Sequence, residues 1–259
     1  MDLRDRHVVV TGAAGGIGSA LARRFHSGGA RVTMSDLRGA DSLADELPGS
    51  LSVAADISTE AGNVDLIEAA RSHHGEIDLF FANAGVAMGT DPMDAEGAWD
   101  TSFAVNLHAH RWAARHLLPA WIERGEGYFC STASAAGLLA QIGSAPYSVT
   151  KHGAVAFAEW LAITYGARGL RVSCLCPQGV NTDMLNSDVV GGGGGDVVRA
   201  VGTVLEPAEV ADIVHDAIVE ERFLILPHPE VGDYLRHKGD DPARWISGMQ
   251  RLQQRTLGL

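Results

Sequence analysis

The chain has 259 residues, 46% of them hydrophobic and 20% charged, with 31 glycines; this is the composition of a globular protein with a substantial core, and it excludes a disordered or collagen-like chain. Twenty lysines and arginines against thirty-two acids leave a net charge of −12, which repels a phosphate backbone, and no basic cluster offsets it, so no nucleic-acid partner is expected. No uninterrupted apolar stretch approaches the roughly 20 residues that span a bilayer, and the start Met1-Asp2-Leu3-Arg4-Asp5-Arg6-His7 lacks the apolar region of a secretory signal, so a cytoplasmic protein with no membrane partner is expected.

In chain order, residues 7–11 read as a strand, 16–27 as a helix and 30–35 as a second strand. Further apolar, β-branched runs follow at 51–55, 77–82, 127–131 and 171–176, separated by helix-length segments. Runs buried on both faces and joined through helices predict a parallel sheet with right-handed crossovers, a doubly wound α/β fold in a single domain over residues 1–259. Cys130, Cys174 and Cys176 fall inside these runs and read as small hydrophobes; none has metal-ligand spacing, so no metal is expected. His73, His74 and His215 read as surface residues. Five consecutive glycines at 191–195 cannot hold a helix or strand cheaply, which predicts a mobile lid within a flexible substrate loop at about 183–205. Residues 207–221 read as a helix with Glu206 and Glu209 placed for its N-terminal dipole. Residues 223–226 read as a last short strand, and 231–259 as a helical tail that closes the domain or an oligomer interface.

The first strand runs into Thr11-Gly12-Ala13-Ala14-Gly15-Gly16-Ile17-Gly18, immediately before a helix. Gly12 permits a sharp turn, Gly16 lets the backbone approach a pyrophosphate, and Gly18 lets helix pack on strand. Unpaired N–H groups at the helix start then face the anion. A glycine-rich turn alone is a weak signal, but its place between strand and helix strengthens it. Asp36, at the end of the second strand, is positioned to accept hydrogen bonds from both adenosine ribose hydroxyls and to repel a 2′-phosphate. NAD is therefore favoured over NADP, with Arg38 close by as the one feature pointing the other way.

Tyr147 and Lys151 stand four apart in a helical stretch over residues 145–167, so they share one face. A phenol with a pKa near ~10 is a poor base at neutral pH; a neighbouring ammonium and a positive nicotinamide ring would favour the phenolate. Ser134 precedes Tyr147 by thirteen residues and follows a strand end, where a parallel sheet opens its crevice. A nucleophilic serine is the rival reading, and it is weakened by the lack of a Gly-x-Ser-x-Gly elbow.

Taken in order and at their spacing, these segments resemble the short-chain dehydrogenase/reductase family, over about residues 3–227. Thr11 to Gly18 matches the family's Thr-Gly-x-x-x-Gly-x-Gly, and Asn83-Ala84-Gly85 its Asn-Ala-Gly; Asn106, Ser134, Tyr147 and Lys151 match its catalytic set. The resemblance implies a seven-stranded Rossmann fold and a nicotinamide cofactor held by Gly12, Gly15, Gly16, Ile17, Gly18, Asp36, Leu37, Asp56, Ile57, Asn83, Ala84, Gly85, Tyr147 and Lys151. In that picture Asp56 contacts adenine, and Asn106 holds a water that links Lys151 to solvent. The family's Pro-Gly-x-Val-x-Thr is matched by Pro177-Gln178-Gly179-Val180-Asn181-Thr182, in which Gln178 is a departure. Pro177, Gly179, Val180 and Thr182 would bind near the carboxamide, and Gln178 would stand by the substrate wall. Together with Met88, Leu138, Met184 and Leu185 it makes an apolar, medium-sized secondary alcohol or ketone the expected substrate. The family also holds NADPH-dependent carbonyl and ketoacyl reductases, non-catalytic dinucleotide sensors and sugar-nucleotide epimerases. The first usually carry a basic residue where Gly15 or Leu37 stands, the second lose the tyrosine or lysine, and the third need a longer C-terminal domain. A homotetramer or homodimer built on the helices bearing Asn106 and Tyr147 is also implied.

Overall fold

The computed structural model describes residues 1–186 and 194–258, and the run His7–Thr11, β1, lies near the middle of its sheet. Its side chains alternate between two apolar layers. Val8 and Val10 face Leu21, Phe25, Val214 and Ile218, whereas Val9 faces Phe80, Leu66, Leu117 and Phe129. The three central residues of this strand, buried on both faces, are all valine, and the polar ends His7 and Thr11 are hydrogen-bonded, which is why alternation is missing from its sequence.

Around β1 stand β2 (Arg31–Asp36), β3 (Leu51–Ala54), β4 (Leu79–Ala82), β5 (Gly127–Thr132), β6 (Leu170–Leu175) and β7 (Leu224–Ile225). All seven run parallel, in the order β3-β2-β1-β4-β5-β6-β7. The order reverses beside β1, where Val9 pairs with Thr33 on one side and Phe80 on the other. The chain leaves β1 and β4 in opposite directions there and opens a crevice at the carboxyl edge.

The helices are α1 (Gly16–Ser27), α2 (Asp41–Glu46), α3 (Glu60–His74), α4 (Glu96–Phe103), α5 (Ala109–Arg124), α6 (Ala136–Leu139), α7 (Ala145–Tyr165), α8 (Asp183–Asn186), α9 (Gly194–Val201), α10 (Pro207–Val219), α11 (Glu230–Asp240) and α12 (Pro242–Leu257). The expected strands form within one or two residues of their predicted ends. Helix α10 is capped by a reciprocal pair, Glu206 and Glu209, as its acidic start implied; it stops short of Glu221, whose φ of +57 is left-handed. The helical tail is two helices, broken where Asp241 caps α12.

The glycine tract departs from expectation. Residues 191–193 lie outside the described residues, and Gly194 and Gly195 open α9 instead of continuing a loop. The span 183–205 therefore contains two helical pieces, α8 and α9. The three thiols are buried and free. Among the described residues no group of three or more His, Cys, Asp or Glu could hold a metal ion, and no helix is long and apolar enough to cross a membrane.

Candidate active site

β1 delivers Thr11 to the carboxyl edge, where its Oγ1 accepts the N–H groups of Asn83 at 3.0 Å and Ala84 at 3.1 Å. Asn83 donates from Nδ2 to the Thr11 carbonyl at 3.0 Å and accepts at Oδ1 from Thr132 Oγ1 at 3.0 Å. One amide thus ties the ends of β1, β4 and β5 together. Close approach dictates the glycines: a Cβ on Gly18 would lie 2.0 Å from the Gly12 carbonyl oxygen, and one on Gly12, with φ +66, 2.8 Å from Ala84 Cα. A Cβ on Gly15 would meet only open space, and the first turn of α1 has no side-chain cap. Its N–H groups, at the positive end of the helix dipole and on the wall of a cleft of about 530 Å³, fit a pyrophosphate.

At one end of that cleft Asp36 accepts the Ala14 N–H at 3.1 Å and the Leu37 N–H at 2.8 Å, which fixes the direction of its carboxylate. Leu37 beside it is 66% exposed. Asp56 is held by the N–H and O–H of Ser58, at 3.0 and 2.6 Å, and lines the cleft with Ile57. Arg38 is exposed and does not line the cleft. Asp36, Leu37, Asp56 and Ile57 together would receive the adenosine half of a nicotinamide dinucleotide.

At the other end α7 brings Tyr147 and Lys151 to the wall, opposite Ser134 from the turn after β5. Lys151 is buried, and Nζ donates to the Thr132 carbonyl at 2.9 Å while lying 5.6 Å from the Tyr147 ring centre. Burial brings its ammonium down to about 8, against the pull of the Cys174 and Cys176 thiols; it keeps its proton at pH 7. Tyr147 lies on the same wall. Burial pushes its phenol up, and the hydrogen bond with Ser134 pulls the other way without winning. Ser134 is held by the Ala136 N–H at 3.1 Å and reaches the Pro177 carbonyl at 3.4 Å.

Asn106 sits in a single wide π-helical turn, Ala104–His108, between α4 and α5. Its Oδ1 accepts the Val86 N–H at 2.9 Å, and Nδ2 donates to the Val86 carbonyl at 2.9 Å and to Thr150 Oγ1 at 3.1 Å. The side chain is thus occupied by protein partners. Gly85 lies close against it: a Cβ there would stand 3.2 Å from Lys151 Nζ and 3.3 Å from Asn106 Oδ1.

The predicted residues converge with few exceptions. Gly12, Gly15, Gly16, Ile17, Gly18, Asn83, Ala84, Gly85, Pro177, Gln178, Val180, Thr182, Met184 and Leu185 all line the one cleft. Thr182 places its methyl over Gly16, 3.1 Å from where a Cβ would be, and Gly179 lies behind the wall against Val198 and Val204. Two expected substrate residues do not reach the wall. Leu138 turns into the core, since α6 packs on α7 and Lys238 Nζ binds the Leu138 carbonyl at 2.6 Å. Met88 lies outside the wall in the loop before α4, its carbonyl accepting from Ser102 Oγ at 3.4 Å. In their place Val86, Ala87, Val105, Gln141, Ser144 and Val198 contribute. No local motif marks these six; only the tertiary path of their loops brings them in.

Known proteins resemble this chain in sequence and in fold. A family model described as short chain dehydrogenase matches residues 6–190. The chain is 35% identical to a 1-deoxy-11-beta-hydroxypentalenate dehydrogenase of Streptomyces exfoliatus, with 95% of this chain and 92% of that protein covered. It is 32% identical to (+)-borneol dehydrogenase 1 of Salvia officinalis, over 72% of this chain and 74% of that one. Among solved structures it resembles a short chain dehydrogenase/reductase from Burkholderia phymatum in complex with NAD, with a TM-score of 0.82, 26% identity and coverage of 93% and 95% of the two chains.

Proposed function

The chain belongs to the short-chain dehydrogenase family, oxidoreductases of alcohols and ketones that use a nicotinamide cofactor, and from that premise we propose that it is an NAD-linked dehydrogenase of apolar secondary alcohols. The observation that carries the reading is that Ser134, Tyr147 and Lys151 stand at one end of the same cleft whose other end holds the uncapped start of α1 and the carboxylate of Asp36. The chemistry that a bound nicotinamide dinucleotide supplies is acceptance of hydride from the carbinol carbon, or its return. The proton is the protein's task. In oxidation Tyr147 Oη takes it from the substrate hydroxyl, and Ser134 Oγ orients the substrate oxygen. Lys151, an ammonium at neutral pH, stabilises the phenolate electrostatically.

Asp36 supports NAD, Arg38 does not line the cleft, and exposed Leu37 would gain cover from an adenine ring. The relatives named above are, by name, dehydrogenases of 1-deoxy-11-beta-hydroxypentalenate and of (+)-borneol, both hydroxyl-bearing compounds. Met184, Leu185, Val198 and Val105 give this cleft an apolar wall. A panel of secondary alcohols assayed by NADH absorbance should show turnover, with NADP about tenfold or more poorer in kcat/KM because one unscreened like-charge contact costs on that order. Asp36→Ala should shrink that preference by about the same factor. Tight NAD binding with no turnover on any alcohol or ketone would instead mark a sensor, and an unchanged cofactor ratio in the variant would remove Asp36 from selection.

The chain is also proposed to work as a cytoplasmic homodimer or homotetramer. On α7, Val149, Trp160 and Ile163 share one face and are all exposed, a wet apolar stripe of the kind that marks a protein contact. A monomeric mass by light scattering at micromolar concentration would contradict association through this face.

A further inference from the structure

The strap Pro227-His228-Pro229, between β7 and α11, carries a buried histidine that the chemistry above does not use. His228 is 2% exposed, and each ring nitrogen meets a main-chain atom. The Gln178 N–H donates to Nδ1 at 3.1 Å, and Nε2 lies 3.1 Å from the Thr203 carbonyl oxygen. A main-chain N–H can only donate and a carbonyl can only accept. The two partners together select one form of the ring, neutral with its proton on Nε2. Its own carbonyl accepts the Val231 N–H at 3.1 Å, which starts α11. The flanking prolines restrict the strap's dihedrals, so the ring is presented in a fixed direction.

These contacts join segments that are distant in sequence. Gln178 belongs to the turn after β6, and Thr203 to the segment after α9. The same two segments meet again two residues on, where the Leu205 N–H donates to the Gly179 carbonyl at 3.0 Å and the Asn181 N–H to the Leu205 carbonyl at 2.9 Å, a parallel bridge between Val180 and Leu205. Gly202 completes the fit: a Cβ there would stand 3.0 Å from Gln178 Nε2, so a side chain at 202 would collide with the amide that replaces the usual glycine. His228 is thus one end of a seam whose other end is the bridge. The seam runs behind Pro177, Gln178 and Val180, all on the cleft wall.

We infer that His228 is a positioning residue for the reactive end of the cleft: by clamping the Gln178 main chain to Thr203 it sets the depth of the turn that would receive the nicotinamide carboxamide. The inference rests on the dinucleotide reading given above. Its effect should fall on one half of the ligand, because the ring's hydrogen bonds run to Gln178 and Thr203 and not to the glycine turn or Asp36, which would hold the adenosine diphosphate half.

The test is calorimetric titration of wild type, His228→Leu and His228→Asn with NAD and, separately, with ADP-ribose. His228→Leu should weaken NAD about tenfold or more, as expected for loss of a hydrogen-bonded clamp, while ADP-ribose stays within about twofold. His228→Asn, whose amide oxygen takes the place of Nδ1 and still accepts from Gln178, should recover most of the NAD affinity. Equal NAD affinity in wild type and His228→Leu overturns the inference. So does an equal loss for both ligands, which would make the ring a general support of the fold. A wild-type chain that binds neither ligand overturns the cofactor reading itself, and a chain that binds both but oxidises no alcohol overturns only the proposed reaction.

Discussion

Tyr147→Phe should lower turnover by about a thousandfold or more, the range that general acid–base catalysis contributes, and leave NAD affinity within about threefold. The cleft holds two other titratable groups near this end. Lys151 is already committed to the Thr132 carbonyl, and Asp183 sits exposed on α8. Neither replaces the phenol, which lines the same wall as Ser134. A phenylalanine ring keeps the volume and keeps a face toward the Lys151 ammonium, 5.6 Å from the present ring centre; Ser134 retains its contact with the Ala136 N–H. Loss of the hydroxyl is therefore a loss of proton transfer and of little else. The direction of the phenol's shift adds a second readout. Burial raises it, so its base form grows as pH rises. Alcohol oxidation by wild type should accelerate toward alkaline pH and ketone reduction toward lower pH. Steady-state rates across pH, with titration calorimetry for affinity, check both parts. A variant that keeps a tenth of wild-type turnover would remove Tyr147 from its role.

Much of this site was legible because its signals are local. The glycine turn needs only residues 11–18 between a strand and a helix, and the Tyr147 and Lys151 pair needs only helical spacing. The parallel sheet was legible in the same way, since a strand such as Val8-Val9-Val10, buried on both faces, shows continuous rather than alternating hydrophobicity. What escaped depends on contacts between distant segments. Leu138 follows the strand that leads to Ser134, yet the one-turn helix α6 turns it inward, and its partner Lys238 is a hundred residues away. The wide turn at Asn106 forms where that side chain grips Val86 and Thr150, which no periodicity announces. Two glycines of the 191–195 tract lie in α9 despite glycine's poor helix propensity, because packing against α12 supplies what propensity lacks. His228 looked like one histidine among eleven; its burial and both ring partners come from the tertiary fold.

Stability should fall steeply on mild acidification, and two buried histidines far from the surface account for it. His7 donates from Nδ1 to the Gly75 carbonyl at 3.0 Å and accepts at Nε2 from Thr33 Oγ1 at 3.0 Å. His110 lies against Ser131 Oγ at 2.9 Å, with no partner for Nε2 among the described residues. Burial holds His7 down to about 4. Burial, aided by the Lys151 charge, holds His110 down to about 3. In the unfolded chain both would titrate near 6.5. As pH falls below that value the unfolded state takes up protons that the native state refuses, so the native state loses ground until about pH 4 for His7 and pH 3 for His110. At about 1.4 kcal/mol per pH unit for each group, the two together should cost about 4 kcal/mol between pH 7 and pH 5, a large share of the roughly 5–15 kcal/mol that holds a domain together. Native carboxylates with depressed values, such as Asp94 and Glu60, keep their stabilising contribution above the unfolded carboxylate range and lose it only as pH falls into and below that range, so this window is dominated by imidazoles; His74 and His108, also lowered by burial, add in the same direction. His110→Asn, whose amide oxygen can still meet Ser131, should start less stable at pH 7 but lose about 2 kcal/mol less over the window. Urea unfolding at pH 7, 6 and 5 measures the slope directly, and parallel lines for wild type and variant would show that His110 is not a neutral buried imidazole.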